Sequence, residues 1–181
     1  MSVLTGLPEP RWYAVQTRSR FEKVVRAELT IKGIDHYLPT FEEVHQWKDR
    51  KKLVELPLFS GYVFARFQDA DAARLQILRT TGVVRILGAT GLIEPIHDWE
   101  IESIRQVLQS GTQCFPHPFV REGAWVRVRR GPLAGVEGRL VRVKSQNRLV
   151  LSVELLSQSV ATEVDVWDVE PAREPLACRQ S

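Results

Sequence analysis

Pro57, Leu58, Phe59, Ser60, Gly61, Tyr62, Val63, Phe64, Ala65, Arg66, Phe67 is the stretch on which the reading of the chain turns. Side chains alternate across a strand with a period of two, so Tyr62, Phe64 and Arg66 share one face and Val63, Ala65 and Phe67 the other. Both faces carry apolar bulk, and a glycine-containing bend leads in. A strand of this kind is either covered on both faces or covered on one, with aromatic anchors left on the other for a partner. Alternation alone leaves the two readings level.

The sequence on either side supplies partners for this strand. Residues 12–15 are aromatic or β-prone and predict a first strand, after a leader punctuated by Gly6, Pro8 and Pro10. Ser19 stands three residues before Glu22, the spacing of a capping box, and Phe21, Val24, Val25, Glu28 and Leu29 keep helical spacing up to Gly33. Residues 34–38 and 41–47 read as extended. The run Lys48, Asp49, Arg50, Lys51, Lys52 is too charged for anything but an exposed hairpin tip, and the chain returns through residues 53–67. Asp69 or Asp71 caps a short helix ending at Arg79, residues 83–87 form another strand, and Asp98 opens a helix with Ile101, Ile104, Val107 and Leu108 on one side. This order predicts an α+β domain, an α/β sandwich on a mainly antiparallel sheet similar to ferredoxin-like folds.

Gly111, Pro116 and Pro118 interrupt the pattern and predict a linker. Beyond it, residues 124–129, 136–144, 148–156 and 160–166 are strand-like, and four or five strands in so short a span suit a small β-barrel, whose closure removes sheet edges. Gly131 and Pro132 preset a tight turn there, while Gly135 and Gly138 permit positive φ or close backbone approach. The expected layout is a leader at 1–10, a first domain at 11–110, a linker at 111–118, a barrel at 119–172 and a tail at 173–181.

Composition bounds the function. With 44% hydrophobic and 26% charged residues the chain is an ordinary globular one. It has no apolar run of membrane-spanning length and no signal-peptide pattern at its start, so a cytoplasmic location without membrane contact is expected. Cys114 and Cys178 stand far apart without a histidine cluster, which argues against a metal site. His36, His45, His97 and His117 are scattered, with no nucleophile or carboxylate at a catalytic spacing and no glycine-rich phosphate loop, so neither an enzyme nor a cofactor is expected. The net charge of +3 is mild; it favours contact with a polyanion only if the basic residues gather on one surface.

Three blocks stand in the order and spacing of the NusG amino-terminal domain: Trp12, Tyr13, Ala14, Val15, Gln16, Thr17; Pro57 to Phe67; and Thr81, Gly82, Val83. In addition, Gly123 to Gly138 resembles a KOW motif, and Val160 to Glu170 resembles the closing strands of the NusG barrel. The chain thus resembles the NusG/RfaH family of transcription elongation and antitermination factors. That resemblance implies a ferredoxin-like amino-terminal domain followed by an SH3-like five-stranded KOW barrel. It implies docking on the clamp helices of the largest RNA polymerase subunit through Phe59, Tyr62 and Phe64, with pausing suppressed. It makes Arg18, Arg20, Arg79 and Thr80 candidate contacts to the non-template DNA strand. It makes Phe119, Pro132, Leu133 and Ala134 candidate contacts of the KOW domain with a small-subunit ribosomal protein or, ranking below it, the termination factor Rho. Ser60, where the family usually has Pro, and Leu133, where Phe is common, point toward a specialised paralogue. The alternative is a KOW-type RNA-binding or ribosome-associated protein that never meets polymerase.

Overall fold

The computed structural model describes residues 9–47, 50–88, 92–119, 123–143 and 145–175. Most of the expected leader and tail, together with Lys48, Asp49 and Cys178, lie outside these residues. In chain order the elements are β1 (Arg11–Thr17), α1 (Glu22–Ile31), β2 (Asp35–Tyr37), β3 (Thr40–Trp47), β4 (Arg50–Pro57), β5 (Tyr62–Phe67), α2 (Asp71–Leu78), β6 (Val83–Ile86), β7 (Pro95–Ile96), α3 (Asp98–Gln109), β8 (Cys114–His117), β9 (Ala124–Val128), β10 (Glu137–Val143), β11 (Gln146–Val153), β12 (Gln158–Glu163) and β13 (Val169–Pro171). Short 3₁₀ turns lie at Glu154–Leu156 and Val166–Asp168. They form two compact units, Met1–Leu38 with Ser60–Asp98, and Pro39–Phe59 with Trp99–Ser181.

In the first unit the strand order is β2-β5-β1-β6, with β7 also on β1, and every pairing is antiparallel. The register sets Val15 opposite Val63, Tyr13 opposite Ala65 and Arg11 opposite Phe67. Tyr13, Val15, Val63, Ala65 and Phe67 therefore line one face, where they share a core with Val25 and Leu29 of α1 and Ile77 of α2. The Tyr13 and Phe67 rings lie 4.5 Å apart. Val25 and Leu29, four residues apart on α1, are fully buried, and each stabilises the fold by roughly 1.5–3 kcal/mol. The helix ends where Gly33 turns left-handed at φ 67°. There Ile34 N–H reaches back to Leu29 O and Gly33 N–H to Thr30 O, both at 3.0 Å, the paired bonds of a Schellman cap.

Several expectations need correction. Ser19 caps nothing: the residue before α1 is Phe21, which makes no side-chain cap bond, and Glu22 is turned to another use described below. Neither Asp69 nor Asp71 caps α2, which begins after Ala70; Asp69 pairs instead with Arg74 at 2.5 Å. The run at 53–67 is two strands, β4 and β5, broken at the bend, and the charged tip contributes Arg50, Lys51 and Lys52 to β4.

In the second unit β3 and β4 pair only with each other, and six strands follow the order β13-β9-β10-β11-β12-β8. Val126, Val128, Val136, Leu149, Leu151, Val153 and Val160 are among its buried apolar residues along the strands and turn. Helix α3, expected in the first domain, sets Trp99 edge-on to Trp125 at 6.2 Å. The expected linker contains β8, which pairs with β12 through Cys114↔Thr162 to His117↔Ser159. The prolines misled here: β8 is an edge strand, where a residue without N–H is tolerated. Among the described residues no helix is long and apolar enough to cross a membrane.

The glycines of the second unit behave as their spacing predicts. Gly131 and Gly135 adopt φ of 84° and 88°. Gly138 is the tightest: a Cβ there would lie 2.7 Å from Val150 O and 2.9 Å from Leu151 Cδ2. Gly138→Ala should therefore cost about 1–3 kcal/mol through overpacking, read as a lowered urea midpoint; an unchanged midpoint would refute the close approach.

Candidate functional site

The end of β1 and the starts of α1, β5 and β6 meet at one corner of the first unit. Thr17 N–H donates to Gly61 O at 2.8 Å, and Arg18 N–H to Gly82 O at 2.7 Å. Gly61 N–H donates to Glu22 Oε1 at 2.7 Å. Glu22 is only 5% exposed, and a polar group so buried must be hydrogen-bonded to be tolerated. Gly61 turns at φ 85°, and Gly82 at φ 90° lies so close to Phe21 that a Cβ would come within 2.5 Å of its ring. Arg20 takes a left-handed φ of 67°, which costs a residue with a Cβ about 1–2 kcal/mol. Backbone strain of this kind concentrates at functional positions.

Of the four candidate nucleic-acid contacts, Arg18 and Arg20 stand at this corner and Arg79 follows α2. Arg18, Arg20 and Arg79 are exposed, and none has a side-chain partner among the described residues. Thr80 is a correction: it is 3% exposed, and its hydroxyl accepts from Lys32 Nζ at 2.7 Å and donates to Gln76 O at 3.2 Å. Lys32 and Glu28, missed in the sequence, tie the turn to α1, for Glu28 Oε2 accepts from Thr81 N–H at 3.0 Å and stands 3.9 Å from Lys32 Nζ. Nothing in their spacing announces a bond to residues some fifty positions away.

The aromatic candidates are also sorted. Tyr62 is half-buried, whereas Phe59 and Phe64 are 1% and 0% exposed. The expected outward presentation of Phe59 and Phe64 is therefore corrected; in this conformation both are covered. In the second unit Pro132 and Ala134 are exposed, Phe119 is half-buried and Leu133 is only 5% exposed, so Leu133 is not open to a partner. Gln106 Nε2 of α3 donates to Ala134 O at 2.9 Å, occupying that carbonyl. Cys114 is buried in β8, which pushes its thiol up to about 12 and keeps it protonated and unreactive at neutral pH.

Two measurements probe the corner. Glu22→Ala leaves Gly61 N–H without its partner and should cost about 1–3 kcal/mol; Glu22→Gln retains an acceptor and should recover most of it. Equal loss in both variants would remove the hydrogen bond from the account. The hydrogen bonds from Thr81 hold the Glu28 carboxyl below the ordinary carboxylate range. A carboxyl depressed on folding stabilises above its unfolded pKa and loses that contribution as pH falls through the folded one. Glu28→Gln should thus be less stable than the parent at neutral pH, with the gap closing on acidification through the carboxylate range; a pH-independent gap would contradict the linkage.

Comparison with known proteins bears on the family of the chain. Residues 10–105, more than half of the chain, match the family model described as NusG, transcription termination factor nusG. The transcription termination/antitermination protein NusG of Salmonella typhi is 29% identical over 181 residues, covering 93% of this chain and 100% of the relative. That of Vibrio vulnificus is 27% identical over 179 residues, covering 92% and 98%. A solved structure concerned with domain interaction in Thermotoga maritima NusG aligns over 93% of this chain and 100% of its own, at a TM-score of 0.55 and 18% identity, a likeness of fold. The chain belongs to the NusG family of transcription termination/antitermination factors.

Proposed function

We propose that this NusG-family chain is a non-enzymatic elongation and antitermination factor of the cytoplasm. Its first unit docks on the clamp helices of the largest RNA polymerase subunit and suppresses pausing. In this reading the first unit is the ferredoxin-like amino-terminal domain and the six-stranded unit carries the SH3-like KOW barrel. The observation that carries the proposal is the bond from Gly61 N–H to Glu22. It fixes the start of β5 against α1, so that Tyr62, Arg18 and Arg20 are presented from one rigid corner. Rigid presentation lowers the entropy lost on docking.

Tyr62 is the accessible anchor, its ring apolar and its hydroxyl able to meet a polar edge of a partner helix. Phe59 and Phe64 add to the contact only in a conformation that uncovers them, and polymerase selects such a state by binding it more tightly. Arg18, Arg20 and Arg79 bear on the non-template strand. A factor bound across a polymerase cleft shortens pauses only through its differential affinity for the active state over the paused one. The KOW unit recruits a second partner, a small-subunit ribosomal protein ahead of Rho, through Pro132 and Ala134 with Phe119 beside them. Ser60 and Leu133 favour a role restricted to selected operons. The family match at residues 10–105 supports this reading over an RNA-binding KOW protein without polymerase.

The test must spare the fold. Phe64→Ala would remove a fully buried ring at a cost of about 3–5 kcal/mol, so loss of binding in that variant proves nothing. Tyr62→Ala, at a half-buried position, should abolish co-migration with core polymerase while changing the melting temperature little. Retained co-migration would sink the assignment. Arg18→Ala combined with Arg20→Gly, glycine adopting the left-handed backbone freely, should keep polymerase binding and weaken cross-linking to the non-template strand.

A further inference from the structure

One face of the β3–β4 ribbon carries three cross-strand pairs in succession: Glu42 opposite Glu55, Val44 opposite Leu53, and Gln46 opposite Lys51. Side chains alternate with a period of two, so these six residues share that face. All six are exposed, Val44 at 58% and Leu53 at 54%. The two strands pair only with each other. Glu55 Oε1 accepts from Thr40 Oγ1 at 2.8 Å, which orients its carboxylate on the face. Lys51 has no carboxylate partner among the described residues, and the register gives it only Gln46 as a neighbour across the ribbon.

A lone exposed valine or leucine is ordinary on a protein surface. Here the two form one apolar step, and charge is ordered about it: an acidic pair on one side, an amide and an ammonium on the other. A half-turn about an axis lying in this face, across the strands and through Val44 and Leu53, exchanges those two sides. A second copy placed by that rotation runs antiparallel, β3 over β3 and β4 over β4. Its Lys51 then stands over Glu55, its Gln46 over Glu42, and its Val44 and Leu53 over their own equivalents. The other rotation, about an axis along the strands, stacks Glu42 on Glu55 twice and is opposed by like charge.

We propose that this face is a self-complementary docking surface for a second copy of the chain, forming an isologous two-fold dimer. The apolar steps bury one another. At both ends Lys51 Nζ donates to the Glu55 carboxylate of the other copy, and the Gln46 amide donates to Glu42. Facing ribbons stack about 10 Å apart with strands within about 30° of each other, an offset that the flexible stem of Lys51 spans. Edge-to-edge pairing through β4 would also set Lys51 beside Glu55, but it would leave Val44 and Leu53 in water. Six residues a side is well below the roughly 20–30 of a standard interface, so the dimer is transient and concentration-dependent. A polyanion is the poorer occupant, because Glu42 and Glu55 on the same face repel phosphate. The inference rests on the ribbon alone and is independent of polymerase docking.

The test is sedimentation velocity of the full chain from about 10 µM to about 1 mM, the range suited to a small, transient interface. The parent should shift toward a dimer as concentration rises, and less so at high salt, which screens exposed ion pairs. Lys51→Glu sets carboxylate against carboxylate and Glu55→Lys sets ammonium against ammonium, so each variant should associate about tenfold more weakly. The double variant K51E/E55K exchanges the signs, keeps the parent's net charge and should associate as the parent does. An equimolar mixture of the K51E and E55K chains should form a heterodimer where neither chain alone forms a dimer. Val44→Ser, at an exposed position, should weaken association while the melting temperature stays close to the parent's. A parent monomeric throughout the range, a K51E/E55K variant no better than its single changes, or association unchanged by Val44→Ser would each overturn the proposal. None of those results bears on Tyr62.

Discussion

Burial of the Glu22 carboxyl constrains the first unit more than any other single interaction. An acidic side chain 5% exposed is tolerable only with a donor in place, and the donor is the backbone of Gly61. That requirement fixes the bend before β5, where the chain turns through positive φ. Because Gly61 O also receives Thr17 N–H, both polar groups of one glycine are committed, one to the end of β1 and one to the start of α1. The neighbouring Arg18 is then drawn to Gly82, and the Thr81 turn to Glu28. The stretch from Thr17 through α1, the bend at Gly61 and the turn at Thr81 and Gly82 become one corner through backbone groups and two carboxylates, so the exposed Arg18 and Arg20 are free to meet something else.

Much of the sheet was legible because its faces obey the period of two: Val63, Ala65 and Phe67 lie in the core, as their alternation predicts. Gly33 was legible as a helix stop because the Schellman cap is a local event. What could not be read is non-local. The spacing of Ser19 and Glu22 is that of a capping box, yet the tertiary bond to Gly61 won over the local one. The covering of Phe59 and Phe64 was equally hidden, since a strand apolar on both faces looks the same whether its second face is covered or open. Thr80 sits within a turn that resembles a contact loop, but its hydroxyl is consumed by Lys32 and Gln76.

The second unit shows the same division. Gly135 and Gly138 do what their positions in the motif require, but β8 was concealed by prolines. Its attachment is by side chains as well as by the ladder. Thr162 Oγ1 donates to Gln113 O at 2.9 Å, and the Arg148 guanidinium lies 4.5 Å from the centre of the Phe115 ring. Among the described residues Arg148 Nε is buried without a hydrogen-bond partner, a cost that the aromatic face offsets in part, since a desolvated cation over a ring is worth up to about 2 kcal/mol. A segment held in this way belongs to the sheet, whatever its proline content.

Charge is laid out differently in two basic stretches of the chain. At the corner of the first unit, Arg18 and Arg20 stand two residues apart just after β1, and Arg79 follows α2. On the ribbon, Arg50, Lys51 and Lys52 are consecutive, and only the strand geometry divides them between two faces. A net charge of only +3 conceals both, because acids elsewhere in the chain offset these cations in the sum without pairing with them.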